Sequence, residues 1–204
     1  MPERHPTATR LIKVALALFV DRGVDGTPIV RIEEAAGLAP GSGAFYKHFR
    51  SKQALLDAAI ADAGDTTRAG DHVFELLAGM TLDQQAEMIV RATWLSFDAH
   101  RDLFLVLARQ PEARPAGFAE DPSAWPGNGP AFVARWLRSF DGAIDDPDAL
   151  AVLLLDALAA FWRHRQTTTA PYGVDADRFV ATWVGLVRSA VAPSGRRRPR
   201  RAPG

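Results

Sequence analysis

The chain has 204 residues, of which 48% are apolar, so a real core is available and disorder is not expected. It contains no cysteine, which excludes disulfides, thiolate catalysis and cysteine-based zinc sites, and suits a reducing cytoplasm. Its formal net charge of zero hides a gradient: residues 1–53 carry eight Lys/Arg against five Asp/Glu, residues 54–195 eleven against nineteen, and residues 196–204 five arginines and no acid, so contact with a polyanion belongs to the ends.

In chain order the sequence predicts helices and no strand. The opening "MPERHPTATR" is polar and prolyl, without the apolar stretch of a secretory leader. Leu11, Val14, Ala15, Leu18 and Phe19 form an apolar helical stripe that stops at Gly23. Thr27-Pro28 reads as an N-cap followed by proline at the first helical position, and Ile29, Ile32, Ala35 and Ala36 give a short helix its inner face before Gly37. A third short helix is expected to carry Phe45, Tyr46 and Phe49. Ser51 then caps a long helix reaching about Leu77.

Further helices follow Thr81 and span "HRDLFLVLARQ". The stretch "PEARPAGFAEDPSAWPGNGP" is rich in Pro and Gly and reads as a long loop. Helices resume at Ala131–Ile144, Pro147–Gln166 and Asp175–Ala192. The longest apolar run, Ala149–Trp162, holds Asp156 and is too short to span a bilayer, so no membrane partner is expected. Nine helices without a sheet make an all-α protein.

The front of the chain has a helix of about eight residues, a glycine turn and a second short helix, which is the helix-turn-helix pattern. "GLAPGSGAFYKHFRSKQALL" supplies the corner. Its glycines let backbone approach a duplex closely. Lys47 and His48 can reach phosphates or base edges, and the Tyr46 hydroxyl can donate to a phosphate. Lys52 sits where a helix dipole disfavours a cation, which makes a phosphate partner more credible.

Residues 11–56 resemble the DNA-binding domain of the TetR family of transcriptional regulators. The matching pieces are Ala15, Phe19 and Gly23, then "GTP", "IEEAAG" and "FYKHFRSKQALL". The resemblance implies that Thr27 contacts phosphate and caps the second helix. It also implies that Tyr46 and Lys52 clamp the DNA backbone, with Lys47 and His48 on or near the reading helix. The chain departs from the family in one place: between Gly37 and Tyr46 it has "LAPGSGAF", two residues beyond the usual spacing. Two readings stay open. In one, Pro40 is the first helical residue of a longer reading helix; in the other, Pro40-Gly41 extends the turn and Ser42 is the N-cap. Ser42, Gly43 and Ala44 are groove-face candidates on either, and their short side chains imply modest direct base readout.

The implied division is a helix-turn-helix domain at residues 1–53, a ligand-binding and dimerisation bundle at 54–192, and a basic, disordered tail at 193–204. All five tryptophans lie outside the first of these. Core packing accounts for each aromatic singly; collectively they make an apolar cavity plausible. The candidate walls are Trp94, Phe97, Phe104, Phe132, Trp136 and Phe161, with Trp125 as a lid. Ala149–Trp162 is apolar nearly all round and the last helix is broadly apolar. Leu150, Leu154, Leu158, Phe179, Trp183 and Val187 are therefore expected at a four-helix interface of a homodimer.

The function so implied is a cytoplasmic, ligand-responsive transcriptional regulator, a repressor released from a pseudo-palindromic operator by a small apolar or amphipathic molecule. It needs no cofactor and no metal. An enzyme is not expected, since no metalloprotease, Walker or dinucleotide motif is present. The alternative from another class is a helical protein-interaction adaptor that binds no DNA.

Overall fold

The first helix begins on a histidine cap. In the computed structural model, which describes residues 5–67, 70–114, 129–140 and 144–192, His5 Nδ1 accepts the Thr7 N–H at 3.2 Å and Pro6 fills the first helical position of α1 (Pro6–Arg22). Then come α2 (Ile29–Ala35), a single 3-10 turn (Phe45–Lys47), α3 (Lys52–Thr67), α4 (Gly70–Leu77) and α5 (Leu82–Ala99). The chain continues with α6 (Arg101–Arg109), α7 (Gly129–Arg138), α8 (Pro147–Arg165) and α9 (Ala176–Val191). Among the described residues there is no strand, and the fold is all-α.

The helices differ from the sequence expectation in three places. The expected third helix is one 3-10 turn. The expected helix 52–77 is two, α3 and α4, with residues 68 and 69 outside the described set. The helix expected to reach Ile144 closes at Arg138. Most of the Pro/Gly loop, including Trp125, and the arginine tail lie outside the described residues.

Two compact units emerge, Met1–Gly70 with Leu95–Gly129, and Asp71–Trp94 with Pro130–Gly204. In the first, the α1 stripe of Leu11, Ala15 and Phe19 is fully buried with Ile32 of α2, Phe45 of the turn, Leu55 and Leu56 of α3 and Val106 of α6. Ser51 Oγ accepts the Ala54 N–H at 3.0 Å and caps α3, as its position predicts. Gly26 makes the loop after α1 possible, because a Cβ there would stand 2.3 Å from the Arg22 carbonyl oxygen. Gln110, just past α6, ties off the end of α1: its Oε1 accepts the Val24 N–H at 2.7 Å and its Nε2 donates to the Phe19 carbonyl at 3.2 Å.

The second unit is organised by indoles and caps. Trp94 Nε1 donates to the Leu158 carbonyl at 3.2 Å, Trp183 Nε1 to the Leu154 carbonyl at 3.1 Å, and Trp136 Nε1 to Gln85 Oε1 at 2.8 Å. Buried indoles usually find such partners, and these fix which faces of α5, α7, α8 and α9 turn inward. Thr81 and Gln84 form a reciprocal capping box ahead of α5. Asp146 and Asp175 cap α8 and α9 by accepting the N–H groups of Ala149 and Arg178.

Replacing Gln110 by Ala strands the Val24 N–H and is expected to lower unfolding free energy by about 1–2 kcal/mol, read from urea denaturation followed by circular dichroism.

Candidate nucleic-acid interface

The basic corner is built from the two connections that flank α2. In the connection before it, Thr27 is completely buried, and its Oγ1 donates to the Gly23 carbonyl at 2.7 Å. The N-cap of α2 is Pro28, with no side-chain cap bond. The expectation that Thr27 caps α2 and offers its hydroxyl to phosphate is therefore corrected. Its hydroxyl is consumed inside the α1–α2 loop by the Gly23 carbonyl.

Lys52 needs a similar correction. Its Nζ donates to the carbonyls of Val24, Asp25 and Thr27, the last two at 3.4 and 3.2 Å. The cation at the head of α3 thus gathers the oxygens of the α1–α2 loop. The unfavourable dipole position is offset within the protein rather than by a phosphate.

In the connection after α2, Gly41 and Gly43 have φ of +74° and +71°, in the left-handed region. Neither can belong to an α-helix, so no helix starts at Pro40. Pro40-Gly41 does extend the turn. Ser42 Oγ accepts the Ala44 N–H at 3.3 Å, yet no α-helix follows it. Where the sequence predicts a reading helix, the chain forms a glycine loop that ends in one 3-10 turn.

That turn is anchored by Phe45, which is fully buried and packs edge-on against Tyr46 and tilted against Phe49, with centroids 5.5 and 5.9 Å apart. Burying this ring contributes about 2–3 kcal/mol. On the outside, Tyr46 is 60% exposed, Lys47 is exposed and His48 is half-buried, its ring 5.1 Å from that of His5. Among the described residues neither the Tyr46 hydroxyl nor the Lys47 ammonium takes a hydrogen bond within the chain. Ser42 is exposed, and Gly43 and Ala44 are half-buried. The structure therefore brings Ser42, Gly43, Ala44, Tyr46, Lys47 and His48 into one contiguous segment, and withdraws Thr27 and Lys52 from it.

One residue here escaped the sequence reading. Glu33 is 1% exposed. Its Oε2 accepts the Gly41 N–H at 2.7 Å, its Oε1 the Phe45 N–H at 3.0 Å, and its backbone carbonyl the Leu38 N–H at 2.9 Å. No cation pairs with it among the described residues. The signal was in the spacing: Glu33 lies four residues after Ile29 and three before Ala36, on the inner face. Ala35, expected on that face, is exposed.

The expected effector residues fall into three groups. Trp94 and Phe161 stack with centroids 5.7 Å apart, and Phe179 lies on Phe161 at 4.0 Å and 16°. Phe132 meets Phe74 at 5.1 Å, on the helix whose Trp136 is buried. Phe97 and Phe104, in the other unit, meet edge-on at 4.7 Å and are half-buried. Arg165 lies over the Trp94 ring at 5.1 Å.

Of the expected interface residues, Leu154, Leu158, Trp183 and Val187 are 4%, 0%, 2% and 0% exposed, so they form the interior of their own unit. Phe179 belongs to the Trp94–Phe161 stack, and Leu150 is half-buried. The large apolar side chains that face outward on α8 and α9 are Val152, Leu153 and Leu186, at 44%, 68% and 59%. Among the described residues no helix is long and apolar enough to cross a membrane. Among the same residues no group of three or more His, Asp or Glu side chains is placed to hold a metal ion.

Residues 11–59 match the family of bacterial regulatory proteins, tetR family. The chain is 32% identical over 99 residues to the HTH-type transcriptional regulator YerO of Bacillus subtilis, which is 48% of this chain and 34% of that one. It is 32% identical over 96 residues to the HTH-type transcriptional regulator UidR of Escherichia coli, 47% of either chain. The matched part thus spans less than half the length of these relatives. Among solved structures, a tetR-family regulatory protein from Rhodococcus RHA1 superposes with a TM-score of 0.70 over 92% of this chain and 97% of its own, at 18% identity. Salmonella enterica GusR does so with 0.64 over 94% and 98%, at 20% identity. These relatives are regulators, not enzymes.

Thr27→Val keeps the shape of a wholly buried side chain and removes only its hydroxyl. It is expected to destabilise the first unit by about 1–2 kcal/mol in thermal unfolding, and to leave the salt dependence of DNA binding unchanged.

Proposed function

We propose that the chain, whose residues 11–59 match the tetR family of bacterial regulatory proteins, is a homodimeric, effector-responsive repressor of a pseudo-palindromic operator, acting in the cytoplasm. The observation that carries the reading is the segment from Ser42 to His48, which is anchored by the buried Phe45 and turns Ser42, Tyr46 and Lys47 outward beside a half-buried His48. Tyr46 and Lys47 hold phosphate oxygens. Ser42, Gly43 and Ala44 meet the groove with small side chains and backbone. Sequence preference then rests largely on fit to groove shape and DNA deformability.

Two copies related by a two-fold axis present two such segments to successive major grooves. The outward apolar residues Val152, Leu153 and Leu186 support pairing through α8 and α9. Residues 1–53 serve DNA and 54–192 the effector and the dimer. The aromatic groups around Trp94, Phe132 and Phe104 favour a small apolar or amphipathic effector. An effector that prefers the conformation with the wrong spacing between reading segments releases DNA. Helix α6 is bonded through Gln110 to the end of α1, so a shift of α6 is transmitted to the helix that backs the reading segment.

Fluorescence anisotropy with the gene's own upstream DNA against scrambled DNA, at two salt concentrations, tests the reading. Tighter and salt-sensitive binding to the upstream DNA is expected. With one copy of each side chain per subunit, Tyr46→Phe should weaken binding of the dimer about 25-fold and Lys47→Gln should reduce its salt slope by about two. Equal weak binding to both DNAs returns the protein-interaction adaptor to the front.

The dimer is tested by sedimentation equilibrium. Leu153→Glu or Leu186→Glu is expected to raise the dissociation constant about a hundredfold while circular dichroism stays unchanged. An unaltered constant in both variants rules out this face.

A further inference from the structure

We infer that Glu33 is a positioning residue for DNA recognition: its buried carboxylate holds the Gly41–Phe45 segment in a non-helical shape, and that shape sets the sequence the protein selects. The inference rests on the reading of this segment as the DNA-contacting surface.

Three donors converge on one residue. The Leu38 N–H binds the Glu33 carbonyl, and the Gly41 and Phe45 N–H groups bind the two carboxylate oxygens at 2.7 and 3.0 Å. These contacts fix the start, middle and end of the loop against α2. Between them Gly41 and Gly43 take left-handed conformations that residues other than Gly, Asn and Asp rarely adopt. The exposed Ser42 is thereby carried on a pinned arch, and Tyr46 and Lys47 follow directly on the anchored Phe45.

A buried carboxylate with no cation beside it is a costly way to fill an apolar face; alanine at position 33 would fill it without charge. The charge is retained here where two main-chain amides point inward and need an acceptor. Charged acceptors make the shorter and stronger bonds. Glutamine cannot substitute, because its amide nitrogen would face one of those two N–H groups. Glu33 touches no DNA itself and acts through the segment it holds.

The test is selection from a randomised duplex DNA library by the full-length protein, followed by the ratio of affinities for the enriched duplex and for a scrambled duplex. Wild type is expected to enrich a two-fold symmetric motif. Glu33→Gln should degrade or change that motif and lower the specific-to-nonspecific ratio about tenfold or more, while affinity for scrambled DNA stays within about threefold. The same motif and ratio in Glu33→Gln overturns the inference, since a purely structural role moves the melting temperature and not the preferred sequence.

Should Glu33→Gln fail to fold, Gly41→Ala decides. Its added methyl meets nothing within 4 Å, but the φ of +74° strains the same arch with Glu33 intact. A lowered ratio supports the inference and an unchanged one overturns it. If wild type enriches no motif, the regulator reading itself fails and the inference falls with it.

Discussion

A carboxylate buried against main-chain amides governs the front of this molecule. Taking an ion out of water costs several kcal/mol unless its acceptor sites are filled. Glu33 meets that condition with the N–H groups of Gly41 and Phe45. The connection before α2 follows the same logic with the sign reversed, since the Lys52 ammonium collects the carbonyls of Val24, Asp25 and Thr27. Short helices flanked by irregular chain leave many backbone groups without partners. Here one anion takes up donors on one side of α2, and one cation takes up acceptors on the other.

These ionic contacts work only because an apolar frame holds the helices in register. Leu11, Ala15 and Phe19 of α1 are closed by Ile32, Phe45, Leu55 and Leu56. Phe45 belongs to both systems: its ring is in the core and its N–H is on Glu33. The exposed surface next to it is therefore rigidly referenced to α1, although it contains no α-helix. A 3-10 turn of three residues presents fewer side chains than a reading helix, and the glycines before it present almost none. Under the proposed DNA-binding function, such a surface has little scope for direct base readout and puts weight on shape.

Period and punctuation in the sequence reveal most of the frame. The α1 stripe, the stop at Gly23, the Ser51 cap and the aspartate caps of α8 and α9 all follow from residue type and spacing. The contents of the loops are less accessible. Thr27 before Pro28 has the signature of an N-cap, yet its hydroxyl bonds Gly23 instead. Local chemistry allowed both partners, and residue type alone does not choose between them. Lys52 at a helix start invites an external anion when the loop oxygens that neutralise it lie 25 to 28 residues earlier. Glu33 is visible only if an acid on the inner face is taken as a claim on buried donors rather than as a break in the stripe.

The same limit explains the error over α8. A helix apolar on nearly every side has no pattern from which its inner face can be read. What decides it is hydrogen bonding. The indoles of Trp183 and Trp94 donate to the carbonyls of Leu154 and Leu158, four residues and about one turn apart on the same stripe. Ala151, Leu154, Leu158 and Trp162 are thereby committed to the interior, where they are 0%, 4%, 0% and 2% exposed. Val152 and Asp156 lie on the opposite side and Leu153 on its flank, all of them exposed. A polar contact between two apolar helices thus selects which hydrophobic residues remain outside. On α9 the geometry repeats: Trp183 and Val187 point in, four apart, and Leu186 points out at 59%. The outward set is smaller than the helices' overall hydrophobicity implies, and it carries an acid at Asp156, so the proposed pairing through this face would depend on a few well-placed side chains rather than on a continuous apolar sheet.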